Sequence, residues 1–230
     1  MLEQMHKHMK WIMWTIVILV TVTFLFFGIY PSTTSGNTVA KVDGYVITAE
    51  DFNQVYRNMY ENYRQILKDQ FTDSFAQTIK KQALQELIQN RLLVQEAERQ
   101  GFKVGNEELQ GHIMQMAAFS NQGRFDQRVY ERTLQNVNIT PAVFEANQRE
   151  FLLRQKLERL IEDSVAVTDA ELSAAYSSRY PKAKPGEFEK NKATFAQTYL
   201  GEKRREAVDA FVKGLMAKAK IQVNDKVVGS

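Results

Sequence analysis

The apolar positions of this chain follow three different patterns. From Trp11 to Tyr30 (WIMWTIVILVTVTFLFFGIY) they are continuous, twenty residues without a charge. Around Val39 to Ile47 they fall into two short β-prone runs separated by Asp43-Gly44. From Phe52 almost to the end they recur at three- and four-residue steps, the period of a helix with one buried face. The pattern therefore predicts a mainly α protein with one apolar N-terminal helix and a little β-structure.

A twenty-residue helix is about 30 Å long, the thickness of a bilayer's hydrocarbon core. Trp11, Trp14 and Tyr30 sit near the ends of the run, where amphipathic rings favour the headgroup level, and Ile18, Phe24 and Phe27 lie inside it. The alternatives are a buried core helix and a secretory signal peptide. A signal peptide has a shorter apolar stretch and an A-x-A-like cleavage site, which Thr34 and Gly36 imitate poorly. The expectation is an uncleaved anchor over 11–30. Lys7 and Lys10 outweigh Glu3 in the 1–10 leader, and the 31–38 tether carries no charge. The positive-inside rule then keeps the leader in the cytoplasm and exports the rest, to the periplasm in a two-membrane cell.

In the exported part, Asp43-Gly44 predicts a tight hairpin, because a type I′ turn needs positive φ at both central residues. Thr48, with Asp51 three residues on, reads as a capped helix start leading into Phe52, Val55, Tyr56, Met59, Tyr63 and Ile66 on one face. Thr72 caps a longer helix carrying Phe75, Ile79, Ala83, Leu87, Ile88 and Leu92, which ends at Gly101. Glu107 and Glu108 open the next, with Leu109, Ile113 and Met116 inward. Further helices are expected from Phe125-Asp126 to Val137, from Thr140-Pro141 to about Asp163, and from Thr168-Asp169. The last helix is expected from about Phe188 to Lys218, with Leu200, Ala207, Phe211 and Leu215 in register. Lys220 to Val223 reads as a strand able to pair with the distant hairpin. The Arg179–Glu187 stretch (RYPKAKPGE) is the one internal linker candidate, and it also suits an ordinary helix–helix connection.

Composition removes most chemistries. The chain is 44% hydrophobic and 25% charged over 230 residues, so it can build a core. A net charge of +3 is too balanced for a usual nucleic-acid surface. There is no cysteine, which excludes disulfides, thiolate nucleophiles and Cys-held metals. Of three histidines only His112 lies beyond the leader, so a His-based triad or acid/base pair is not available. His112 has no identifiable acid or nucleophile partner and reads as a surface or interfacial residue. Glu107 and Glu108 read as acids at a helix start, and Glu202 to Glu206 as a solvated face. No P-loop or dinucleotide glycine pattern is present, and no cofactor or metal is indicated.

Several stretches together resemble the SurA/PpiD family of bacterial periplasmic chaperones. VAKVDGYVITAEDF is similar to the opening hairpin and first helix start of the family's N-terminal domain. QALQELIQNRLLVQEAERQGFKVGNEELQ resembles its long helix, glycine stop and next helix start. GRFDQRVYERTLQNVNITPAVFEANQREFLLRQKLERLI and VAVTDAELSAAY are similar to the segments that follow. The anchor with its short positive leader resembles the PpiD branch. The resemblance implies an N-terminal-like helical module over 39–178, and a terminal helix and strand over 188–230 that pack back on it. In family members that isomerise prolyl bonds, a parvulin domain lies between these parts. Here only residues 179–187 remain, and the histidines of a parvulin site are missing.

The resemblance implies an inner-membrane-anchored, ATP-independent holdase for unfolded or newly translocated envelope polypeptides, not an enzyme. Such a protein acts beside the translocon or with an isomerase in trans. The rival readings are a membrane-anchored adaptor docking one envelope or secretion complex, and an isomerase. Met114, Met116 and Phe119, leading into Ser120-Asn121-Gln122-Gly123, are the candidate client contacts, with core packing as the alternative. The anchor reading makes a direct prediction. Ile18→Arg puts a charge near the helix centre at a cost of about 2.5–3.5 kcal/mol and should shift the chain out of the integral membrane fraction. Unchanged resistance to alkaline extraction would refute a single span at 11–30.

Overall fold

A computed structural model describes residues 37–224. The expected leader, the anchor with Trp11, Trp14, Ile18, Phe24, Phe27 and Tyr30, and most of the tether lie outside the described residues. Among those described, no helix is long and apolar enough to cross a membrane.

The domain opens with a hairpin, β1 (Thr38–Val42) and β2 (Tyr45–Thr48). Asp43 and Gly44 between them have φ of 48° and 89°, the double positive φ of a I′ turn. Helix α1 (Ala49–Leu67) follows at once, and its start is a complete capping box between Thr48 and Asp51. After a short 3-10 turn, Thr72 caps α2 (Asp73–Arg99), the long helix of the fold. Gly101, at φ 86°, reverses the chain just past it. Next come α3 (Asn106–Met114), a 3-10 turn (Ala117–Phe119), and a minimal hairpin of β3 (Ser120–Asn121) and β4 (Arg124–Phe125). Helices α4 (Gln127–Asn136) and α5 (Pro141–Asp163) are capped by Asp126 and Thr140, with Pro141 in the first turn of α5. Helix α6 (Asp169–Arg179) has a second capping box, and α7 (Glu187–Lys218) leads to β5 (Ile221–Val223). The expected mainly helical fold with a small sheet is borne out.

The sheet order is β2-β1-β5, antiparallel throughout. The last strand thus completes the first hairpin, with Val42 opposite Ile221 and Ala40 opposite Val223. Side chains reinforce the join. The Lys220 N–H donates to Asp43 Oδ1 at 2.7 Å, and the Asn224 side chain donates to the Thr38 carbonyl at 3.1 Å.

Three apolar clusters hold the molecule. The first joins the sheet to the middle of α2 through Val39, Val42, Ile47, Phe52, Ala83 and Ile88. The second joins the end of α2 to α3, α4, α5 and α7 through Leu93, Ala97, Ile113, Tyr130, Leu157 and Val212. The third is local to α6 and α7: Leu172, Tyr176 and Phe195, ringed by Phe188 and Tyr199. Glu96 is the one buried charged side chain among the described residues. Its carboxylate accepts from Arg99 Nε and Nη2 and from Gln100 Nε2. The Arg99 hydrogen bond holds its carboxyl below the usual range against the opposing effect of burial.

Two expected helix faces need correction. Ile66 does not share the buried face of α1; it is 74% exposed. The far end of α1 meets Phe71 and the start of α2, Tyr60 and Tyr63 making edge contacts with Phe71 and Phe75, and Ile66 lies beyond that aromatic seam. In α7 Phe211 and Leu215 pack against the main core as expected, while the fully buried residues are Phe195 and Val212 and Leu200 and Ala207 are only half-buried. The helix serves α6 with one end and the main core with the other, so its apolar face shifts midway.

The β5 pairing makes a prediction. Removing residues 220–230 deletes the ladder to β1 and uncovers the first cluster. We expect a loss of about 2 kcal/mol and a melting temperature lower by roughly 4–8 °C, measured by circular dichroism. An unchanged melting curve would show that the sheet does not depend on its third strand.

Candidate polypeptide-binding surface

Helix α3 is fixed against α5 by polar clamps. Lys156 Nζ donates to Glu108 Oε2 and to the Lys103 carbonyl, both at 2.7 Å. Arg149 donates to the Val104 carbonyl and, at 3.1 Å, to Asn106 Oδ1. His112 Nε2 lies 3.2 Å from Gln148 Oε1. The acids expected at the start of α3 are there, and Glu108 also ties the helix to its neighbour.

Between α3, α4 and the start of α5 lies an open groove of about 360 Å3. Leu109, Ile113, Phe125 and Tyr130 form its apolar lining, and Glu145 and Arg149 add charge. Burial and the nearby Glu145 push the Tyr130 phenol up from its ordinary pKa. The Tyr130 hydroxyl donates to Glu145 Oε1 at 3.5 Å. What the groove offers chemically is apolar contact with a polar border.

The three residues singled out from the sequence go to three different places. Met114 lines this groove and is 48% exposed. Met116 is partly buried against the main core. Phe119 is inside it, 3% exposed, with its ring edge-on to Tyr130 at 4.9 Å and Phe144 at 5.3 Å. The chain separates them because α3 ends at Met114 and helical spacing stops there. The β3–β4 hairpin then turns the chain, with Gln122 and Gly123 at φ 52° and 79°. Asp126 ties this hairpin to α4. It accepts from Asn121 and from the Arg128 and Val129 N–H groups, which hold its carboxyl below the usual range.

Sequence reasoning missed Phe125, Tyr130 and Pro141 as groove residues. Asp126 gave a partial signal as a helix cap that brings its neighbours to the α3 end. Among the described residues no three His, Asp or Glu side chains gather as a metal site.

The described domain thus opens with a hairpin, runs through a long central helix and returns a strand to that hairpin. The profile of the SurA-like N-terminal domain matches residues 1–158, and the chain belongs to that family. The resemblance read from its motifs is borne out. The chain is 25% identical over 183 residues to the periplasmic chaperone PpiD of Haemophilus ducreyi. That match covers 75% of this chain but 30% of the relative, so the chain spans under a third of the relative's length. Among solved structures it is similar to a chain from the work on PEB4 and Cj1289, described as structurally related SurA-like chaperones of Campylobacter jejuni. The TM-score is 0.53 at 16% identity, covering 82% of this chain and 99% of that one. This likeness is one of fold.

The two ends of the Met114–Phe119 stretch should behave oppositely. Phe119→Ala removes a buried ring and should cost about 3–5 kcal/mol in chemical denaturation. Met114→Ser should change stability by no more than about 0.5 kcal/mol, as exposed substitutions do. Equal costs at both positions would contradict this placement.

Proposed function

We propose that the protein is an ATP-independent holdase, held at the outer face of the inner membrane by residues 11–30, that binds unfolded or newly translocated envelope polypeptides. The observation that carries this reading is membership of the SurA-like N-terminal family in a domain with an open groove of mixed apolar and polar lining. The name of the Haemophilus relative, a periplasmic chaperone, supports the same reading. Met114 on the groove wall is the client contact of choice. Met116 and Phe119 act behind it, fixing the wall from the core side. Affinity is modest, near micromolar or about −8 kcal/mol, because a holdase must release what it binds.

Catalysis of prolyl isomerisation is not part of this reading. The connection between α6 and α7 is short, running from Tyr180 to Gly186. A domain of isomerase size needs on the order of 50 residues. A separate isomerase acting in trans and the translocon are the neighbours this reading adds for an anchored protein that meets chains as they emerge.

The test uses the full chain in lipid nanodiscs with a heat-unfolded enzyme as client and no ATP. We expect slower aggregation at near-stoichiometric ratios, with the rate of cis–trans conversion in a prolyl peptide unchanged. Met114→Ser should weaken the protection several-fold. A folded protein inert toward several unrelated unfolded clients would overturn the holdase reading in favour of an adaptor for one dedicated complex.

A further inference from the structure

A second groove, on the other side of α5, is built from three helical stripes of the same spacing. Helix α1 contributes Asp51, Gln54, Val55 and Asn58; α2 contributes Leu87, Asn90, Arg91 and Val94; α5 contributes Asn147, Glu150, Phe151 and Arg154. Each set is i, i+3, i+4, i+7, one face of a helix. Tyr45 and Ile47 of β2 complete a groove of about 350 Å3.

Each of its charged side chains already has an intramolecular partner, although Arg91 Nε makes no hydrogen bond. Asp51 accepts from the Thr48 main chain and hydroxyl. Arg91 pairs with Glu150 at 2.8 Å, and Arg154 with Glu158 at 2.9 Å. By contrast Gln54, Asn58, Asn90 and Asn147 make no side-chain hydrogen bond to any described residue. Every stripe thus carries at least one carboxamide with a free donor and a free acceptor. A carboxamide is the side chain that matches a peptide group, since it can accept from N–H and donate to C=O.

Two aromatic rings line the same groove, and each packs on neighbouring side chains while remaining partly exposed. The Tyr45 ring, 40% exposed, lies under the Arg91 guanidinium at 3.4 Å. The Phe151 ring, 37% exposed, stacks on His112 at 5.7 Å and lies near the Arg154 guanidinium at 5.4 Å. Rings already packed on neighbours lose less freedom when a ligand arrives.

We infer that this groove binds an extended stretch of unfolded polypeptide, gripping its main chain through Gln54, Asn58, Asn90 and Asn147 and one apolar side chain between Tyr45 and Phe151. Asp51 and Glu150 balance Arg91 and Arg154, so the groove carries no net charge to attract a phosphate, whereas the carboxamides complement an uncharged main chain. Main-chain recognition is indifferent to sequence, which suits a client range. The inference rests on the chaperone reading and adds to it a site and the chemistry of its ligand.

The experiment uses the full chain in nanodiscs and two probes. One is reduced, carboxymethylated α-lactalbumin, a permanently unfolded protein. The other is a capped, uncharged peptide with a central Phe, paired with its N-methylated twin. The triple variant Asn58→Ala, Asn90→Ala, Asn147→Ala should raise Kd for both lactalbumin and the peptide about tenfold or more, with melting unchanged. N-methylation should weaken binding to the wild type by a similar factor and have little further effect on the variant. Since the chain has no cysteine, Asn147→Cys alone can carry an environment-sensitive dye. That dye should respond to lactalbumin, and one at Ser177→Cys should not, which keeps the test sound if the triple variant is destabilised. Equal affinity of wild type and variant, or a silent dye at position 147 with lactalbumin bound, would overturn the groove and leave the holdase reading intact. A wild type that binds neither probe would overturn both.

Discussion

Leu92 and Leu93 are neighbours on α2, yet they belong to different cores: Leu92 packs under the sheet and Leu93 against α3, α5 and their partners. Much of the architecture follows from that divided allegiance. In its last two turns α2 is apolar over a wide arc, with Leu92, Leu93, Val94 and Ala97 all buried. A helix apolar over so wide an arc has to be covered from several sides. The sheet covers one side and α5 with the end of α7 covers the other. Leu215 and Met216 of α7 touch both clusters and seal the seam between them. The two grooves lie on either side of α5 because that helix shares its contacts between α2 and α3.

The elements with a local chemical signal were legible. Asp43-Gly44, the Thr48 capping box, the helix start at Thr168-Asp169, Pro141 in a first turn and Gly101 past a helix end each act within a few residues, and each stands where the sequence puts it. The pairing of β5 with the hairpin was also within reach, since two short strands need a partner. The β3–β4 hairpin was not, because two-residue strands have no period to read. Ile66 keeps its place on a regular helical face, but no partner extends that far along α1. Periodicity gives a face and not what covers it.

The same limit governed the sites. Met114, Met116 and Phe119 look alike as a list of apolar residues at near-helical steps. One is on a groove wall, one behind it and one in the core, because the helix ends between the first and second. The carboxamide groove was hidden for a different reason. Its stripes come from helices nearly a hundred residues apart in the chain, and asparagine and glutamine on a helix ordinarily read as solvated surface. Only their convergence on two exposed rings gives them a shared meaning.

The meeting of β1 and β5 sets a schedule as well as a shape. The hydrogen bond between Asp43 and Lys220 closes a loop of 177 residues. Chains are made at about 5–20 residues per second, so roughly ten to thirty seconds separate synthesis of the first partner from the second. During that interval β1 has only one of its two neighbouring strands, and the first apolar cluster lacks its cover from the end of α7. Contacts this distant in sequence slow folding and lengthen exposure. A protein proposed to shelter incomplete chains is thus, in its own making, an incomplete chain until β5 has emerged.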